Sequence, residues 1–326
     1  MAGETMAASN NKANALTIDR LTESDLPEAA RIFRVAFGAF LGAPNPENLW
    51  TDRDYVAGRH RAGHVASFAA RLDGKLVGSN FVTNWGSVGF FGPLTVLPDL
   101  QGRGVAQALL GPTMAQFDAW GTRHAGLFTF AHSTKHVGLY QKFGFYPRFL
   151  TAIMAAPARR AQTPAGWSRF GALTTAQQEQ ALRGCREVTE SVYPGLDLGA
   201  EIRTAQAQGL GDTMLIEGAG GLSAFAVCHY GPRSEAGAAT CFVKFGAVRN
   251  GSAAGRDFLR LIEACEALAA DVGMANVLAG VNTAHHEAYR LLAGRGYRSE
   301  TQGVAMHKNN DPDYARPGTY VINDWR

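Results

Sequence analysis

Between Val96 and Ala106 the chain reads Val-Leu-Pro-Asp-Leu-Gln101-Gly102-Arg103-Gly104-Val105-Ala106, a glycine-bearing loop set between a β-like run and a helix-like run. Glycines let a backbone come close to a ligand. The N–H groups that open a helix, with the positive end of its dipole, bind phosphate oxygens. A diphosphate is the natural occupant of such a loop. A P-loop would need G-x-x-x-x-G-K-[ST], which is absent. A dinucleotide fingerprint would need Gly or Ala where Gln107 stands and an acidic residue about 20 positions on. No Asp or Glu occurs from Ala119 to Gln178. Taken alone, the loop is equally explained as an ordinary strand-to-helix turn, so the weight falls on what surrounds it.

Two further groups could do chemistry. His132-Ser133-Thr-Lys-His136 puts two histidines four apart, but Ser133 stands where a metalloprotease carries its glutamate, and zinc would need another ligand. No metal is expected. About 35 residues after the loop comes Leu139-Tyr140-Gln-Lys-Phe-Gly144-Phe145, with Tyr140 on a helix-like run. Seven basic residues and no acidic one lie between Ala119 and Gln178, which reads either as a rim for phosphates or as a solvated face.

Gln101-x-x-Gly104-x-Ala106 resembles the [RQ]-x-x-G-x-[GA] loop of the GCN5-related N-acetyltransferase (GNAT) family, and Tyr140-x-x-x-Gly144-Phe145 matches a second family feature. The resemblance implies acetyl-CoA as co-substrate and an acyl group passed by direct attack to a small-molecule or peptide amine. It places the pyrophosphate on Gln101, Gly102, Arg103, Gly104, Val105 and Ala106, and pantetheine along Leu94, Thr95 and Val96. Ser133 stands where many members carry a cofactor-binding Asn. Tyr140 becomes the catalytic donor to the departing thiolate. The acceptor would be set by the variable stretch from Leu41 to Arg61, with Trp50, Asp52 and Asp54, and no base is visible, so ordered water is the expected proton path. Asp324 or the end of the chain is a further candidate near the amine, against the plainer role of a packing strap. The rival from another class is a non-catalytic acyl-CoA-binding or regulatory module.

The elements that must position these groups follow from periodicity. Strand Thr17–Leu21 and helix Asp25–Phe37 precede three β-like runs between His64 and Leu97, the first two joined by an Asp73-Gly74 hairpin. A helix spans about 104–120, with a kink or early break expected at Pro112. A strand at 127–131, a helix near 135–143 and another strand after Phe145 complete the unit. The same order returns as a helix at 174–192, three β-like runs within 214–248, a helix at 256–271, a strand at 277–281 and a helix at 285–293. The expectation is an α/β (α+β mixed sheet) fold of two tandem GNAT-like domains, each a mostly antiparallel mixed sheet with helices on both faces. Its parts are a disordered tail 1–15, a catalytic domain 16–156, a linker 157–167 and a degenerate domain 168–326. The second copy should be silent, because Leu292 stands where Tyr140 does and Asp257 would face the diphosphate.

Composition sets the class. With 326 residues, 46% hydrophobic and 18% charged, the chain buries a sizeable core, and a formal charge of +3 offers no footprint for nucleic acid or membrane. Four cysteines without C-x-x-C spacing point to reduced thiols and a cytoplasmic protein. A homodimer is compatible with all of this.

Overall fold

The computed structural model describes residues 15–160 and 166–326. The expected tail, apart from Ala15, and residues 161–165 of the expected linker lie outside them. The first half contains β1 (Leu16–Arg20), α1 (Leu26–Leu41), α2 (Ala57–His60), β2 (Val65–Leu72), β3 (Lys75–Trp85), β4 (Val88–Phe91), β5 (Thr95–Val96), α3 (Val105–Ala119), β6 (His124–Thr129), α4 (Thr134–Gln141) and β7 (Phe145–Pro157). The second half contains β8 (Trp167–Arg169), α5 (Thr175–Val192), α6 (Gly199–Ala207), β9 (Gly211–Gly218), β10 (Gly221–Gly231), β11 (Gly237–Val248), α7 (Ala254–Asp271), β12 (Asn276–Asn282), α8 (His286–Gly294), β13 (Arg298–Lys308) and β14 (Val321–Ile322).

The Asp73-Gly74 turn has the two positive φ angles that a type I′ hairpin requires, 50° and 78°. Alternation along β2 and β3 then feeds two cores. Phe68, Ala70, Val77 and Val82 pack beneath α3, whereas Ala69, Leu76 and Phe81 pack beneath α1. The second half repeats this, with α7 on one face and α5 and α6 on the other. Of the kink or early break expected at Pro112, the break does not occur: α3 runs on to Ala119. Thr113 Oγ1, itself accepting from buried Asn80, donates to the Leu109 carbonyl at 2.8 Å and braces that turn.

One continuous sheet runs through the molecule in the order β1-β2-β3-β4-β6-β13-β7-β12-β11-β10-β9-β8, with β5 on β3 and β14 on β11. The halves are therefore repeated in sequence but exchanged in space. The last strand of the first half, β7, pairs with β12, and the last strand of the second, β13, pairs with β6. The two exchanged strands also pair with each other along their length. Neither α6 nor β13 is marked in the periodicity. The four cysteines are buried free thiols, and no helix among the described residues is long and apolar enough to cross a membrane.

Candidate active site

In the first half two parallel strands part company. β4 and β6 pair from Val88 and His124 to Phe90 and Gly126, and no further. Beyond Phe91 the chain stays with β3, where Thr95 and Val96 of β5 pair with Ser79 and Gly78. The other edge of β5 thus has no strand partner, because β6 has diverged. The gap opens into a cavity of about 570 Å³ lined by Phe91–Val96 on one wall and Phe128–Phe130 on the other. Unpaired backbone groups on a strand edge are free to bind an extended ligand.

At one end of the cavity is the glycine loop. Gly102 and Gly104 have φ of 81° and 82°, a left-handed conformation that a side chain strains. Gln101 N–H is used internally by the Pro98 carbonyl at 3.1 Å, and Arg103 N–H by the Leu100 carbonyl at 3.4 Å. The amides of Gly102, Gly104, Val105 and Ala106 are left for a ligand, at a helix start that no side chain caps. Gln101, Gly102, Gly104, Val105 and Ala106 line the cavity with Leu94, Thr95 and Val96, but Arg103 and Ser133 do not. The Ser133 hydroxyl instead caps α4, accepting from His136 N–H at 3.4 Å. Lys135 Nζ donates to Gln101 Oε1 at 3.1 Å across the mouth.

Tyr140 reaches the cavity from α4 and lies edge-on to Phe91, with ring centroids 5.5 Å apart. Burial raises its hydroxyl well above the ordinary phenol pKa, so it stays protonated and can only donate its proton as a hydrogen bond at neutral pH. Beyond it the wall is aromatic: Phe33, Phe37 and Phe40 from α1, with Trp50 and Tyr55 from the loop that follows. Arg53 also lines this end, its guanidinium 5.6 Å from the Trp50 ring and its Nε 4.0 Å from Asp52 Oδ1.

Of the acidic candidates, Asp54 caps α2 through Val56 and Ala57 N–H, and Asp52 accepts from Ala238 N–H. Neither lines the cavity, and among the described lining residues no side-chain carboxylate appears. His132 and His136 both pack against Phe40, at 5.6 and 5.2 Å. Only His136 lines the cavity; burial, then Lys135 and His132, lower its pKa and hold it neutral.

The C-terminal segment reaches the same cavity with Arg326. Gly126 on β6 and Gly280 on β12 make room for it, since an added Cβ would stand 2.3 Å from Trp325 and 2.2 Å from Asp324 respectively. Asp324 is buried against Gly280 and pairs with Arg326 Nε at 2.9 Å, so it stays out of the cavity. Arg59, which also donates to the Gly92 carbonyl at the fork of the strands, holds the Arg326 carbonyl oxygen. Arg59 and Lys244 share buried Glu235 at 2.7 and 2.8 Å. Burial pushes that carboxyl up, but the two cations outweigh it and bring its pKa to about 2.

The second half builds the same fork and closes it. β11 and β12 run parallel from Thr240 and Asn276 to Val243 and Ala279, then separate. Into the gap fits β14: Val321 and Ile322 pair with Ala247 and Gly246, and Asn323 N–H reaches the Gly280 carbonyl at 2.8 Å. Leu292 is wholly buried in the core, and Asp257 is buried in the first turn of α7 beside Arg256 and Arg260. The candidate tail thus reaches the cavity through Arg326 rather than Asp324, whereas the sequence misses the α1 aromatics as lining residues; the helical spacing of Phe33, Phe37 and Phe40 is the signal that was present.

Residues 28–145 match the model of the acetyltransferase (GNAT) family. A Pyrococcus horikoshii protein assigned provisionally as an acetyltransferase aligns over 99% of both chains at 13% identity and a TM-score of 0.65. A GCN5-related N-acetyltransferase from Sphaerobacter thermophilus aligns over 93% of this chain and 96% of its own, at 16% identity and a TM-score of 0.57. A tandem GNAT protein from the clavulanic acid biosynthesis pathway covers 90% of this chain and 98% of its own, at 15% identity and 0.54. These likenesses show the tandem fold. No curated protein matches the chain significantly.

Proposed function

From the match of residues 28–145 to the GNAT family model we propose that this chain is an acetyl-CoA-dependent N-acyltransferase with one working site, in its first half. The observation that carries the reading is the open cleft between β5 and the end of β6, continuous from the glycine loop to Tyr140. The diphosphate of CoA sits on the amides of the Gly102–Ala106 stretch, and pantetheine uses the unpaired edge of Leu94–Val96 in place of a strand. The thioester then falls near Phe91 and Gly92.

The acceptor nitrogen attacks the thioester carbon, a strand N–H holds the oxyanion, and the C–S bond breaks as the electron pair passes to sulfur. Tyr140 donates a hydrogen bond to that sulfur. Unperturbed tyrosine titrates near ~10 and a thiol near ~8.5, so full transfer is uphill by about 2 kcal/mol. Burial of Tyr140 widens the gap, which makes it a hydrogen-bond donor while solvent supplies the thiol proton. The amine proton passes to His136, held neutral in the cavity, or to water beside it. Arg53, a cation lining the aromatic end with its guanidinium over the Trp50 ring, favours an acceptor that carries an anionic group on an apolar body.

The test is CoA release from acetyl-CoA across a panel of amines, with binding followed by calorimetry. Turnover is expected with a carboxylate-bearing amine and a raised KM for it in Arg53→Ala. Tight acetyl-CoA binding without CoA release from any amine would instead establish a binding module.

A further inference from the structure

Away from the cavity lining, three titratable side chains meet where the halves join: His124 at the start of β6, His307 near the end of β13, and Asp313 in the segment leading to β14. All three side chains are wholly shielded from solvent. One ligand-capable atom of each lies within 4.8 Å of the others. His124 Nε2 stands 2.9 Å from Asp313 Oδ2, yet the two are not aligned as a hydrogen bond. Neither atom makes a hydrogen bond, although His307 Nδ1 stands 3.7 Å from the same Asp313 oxygen, and His124 Nδ1 and His307 Nε2 make none either. Burying a polar atom without a hydrogen bond is costly, and a carboxylate more so, so this many in one place calls for a shared partner.

The other atoms of the trio are already oriented. His307 Nδ1 lies 2.9 Å from the Asp311 carbonyl, which can only accept, so Nδ1 carries the proton and Nε2 keeps its lone pair. Asp313 Oδ1 accepts from Ala315 N–H at 2.6 Å, which leaves Oδ2. His124 Nδ1 faces Asp311 Oδ2 at 3.9 Å. Backbone and carboxylate partners of this kind orient metal-binding imidazoles and carboxylates. Two imidazoles on one tetrahedral zinc, with Zn–N of about 2.1 Å, hold their ring centroids about 5.2 Å apart. The His124 and His307 centroids are 5.1 Å apart. A ring contact without metal fits that spacing too; the unmatched nitrogens and oxygen do not fit it.

We propose that His124, His307 and Asp313 bind one divalent transition-metal ion, zinc by their two-nitrogen, one-oxygen donor set, with water in the fourth position. The ion is structural. It ties β6, which forms a wall of the cleft, to the exchanged strand β13 and to the segment carrying Trp325, whose ring lies 5.9 and 5.1 Å from the two imidazoles.

The experiment uses the full chain, stripped with EDTA and titrated separately with zinc chloride and cobalt chloride. One equivalent of zinc should bind and raise the Tm, and cobalt should give the strong visible absorption of a tetrahedral site. His307→Gln and Asp313→Asn should each lose both signals. Absence of zinc binding at micromolar concentration, or a Tm and spectrum indifferent to the metal, overturns the proposal. Binding that persists in both variants overturns it also, because the ion then sits elsewhere. Should a variant fail to fold, the wild-type cobalt spectrum and zinc-dependent Tm decide.

Discussion

In the first half β4 and β6 separate after Phe90 and Gly126 and the space stays open; in the second β11 and β12 separate after Val243 and Ala279 and β14 fills it. The backbone device is the same. What differs is local: a pair of left-handed glycines at the start of α3 against Ala253 with φ −89° at the start of α7, and Tyr140 against Leu292. A fork of parallel strands is thus a site only when nothing in the chain completes the missing strand, which is why function is argued from the site and not from the repeat.

The comparison breaks most sharply at Tyr140. Tyr140→Phe keeps the ring and removes the donor, so kcat should fall about 10²- to 10⁴-fold with CoA affinity nearly unchanged. Wild-type kcat in that variant, with chemistry limiting turnover, would take the hydroxyl out of the mechanism. Next comes the seam. Glu235→Gln leaves Arg59 and Lys244 buried without a carboxylate and should cost about 3–5 kcal/mol of stability. The carboxyl's pKa is lower folded than unfolded, so its contribution is present above the unfolded value of 4.5 and is lost as pH falls towards about 2. Melting temperatures measured across that window should slope less in the variant than in the wild type, where Glu201 and Asp25 also contribute.

A smaller effect tests the closed fork. Ile322→Ala empties a fully buried site and should cost about 2–5 kcal/mol, while calorimetry still counts one CoA per chain. Two CoA per chain would mean that β14 alone keeps the second fork silent. Smallest of the four, Gly104→Val forces a β-branched residue into φ 82°, at about 1–2 kcal/mol of strain, and should weaken CoA binding about 10- to 100-fold. Ala253→Val at the matching place in the second half should leave CoA affinity alone.

Much of this was legible in the sequence because it is locally encoded. The glycine loop, the Asp73-Gly74 hairpin, the helices beneath the sheet and the doubled order all follow from spacing and turn chemistry. The exchange of β7 and β13 left no such mark, since a strand's own alternation does not say which distant strand it will join. Helix α6 is only nine residues long and follows a Pro-Gly turn, too short for its periodicity to stand out. The site divides in the same way. Loop, tyrosine and the C-terminal tail were readable as candidates, whereas His124, His307 and Asp313 are brought together by pairing between segments far apart in the chain.

The exchanged strands bear on how the protein is made. The wall of the cleft formed by β6 is flanked by β13, so Thr129 finds its partner Val304 only after the second half has been synthesised through β13. A first half emerging from the ribosome holds every residue of the glycine loop and Tyr140, yet it carries an unpaired β6 edge, open to mispairing, until β13 has been translated. Maturation of the cleft is therefore a late event in the life of the molecule, and a gene fragment ending after β7 would encode a sheet with one strand missing and another, β7, with nowhere to go.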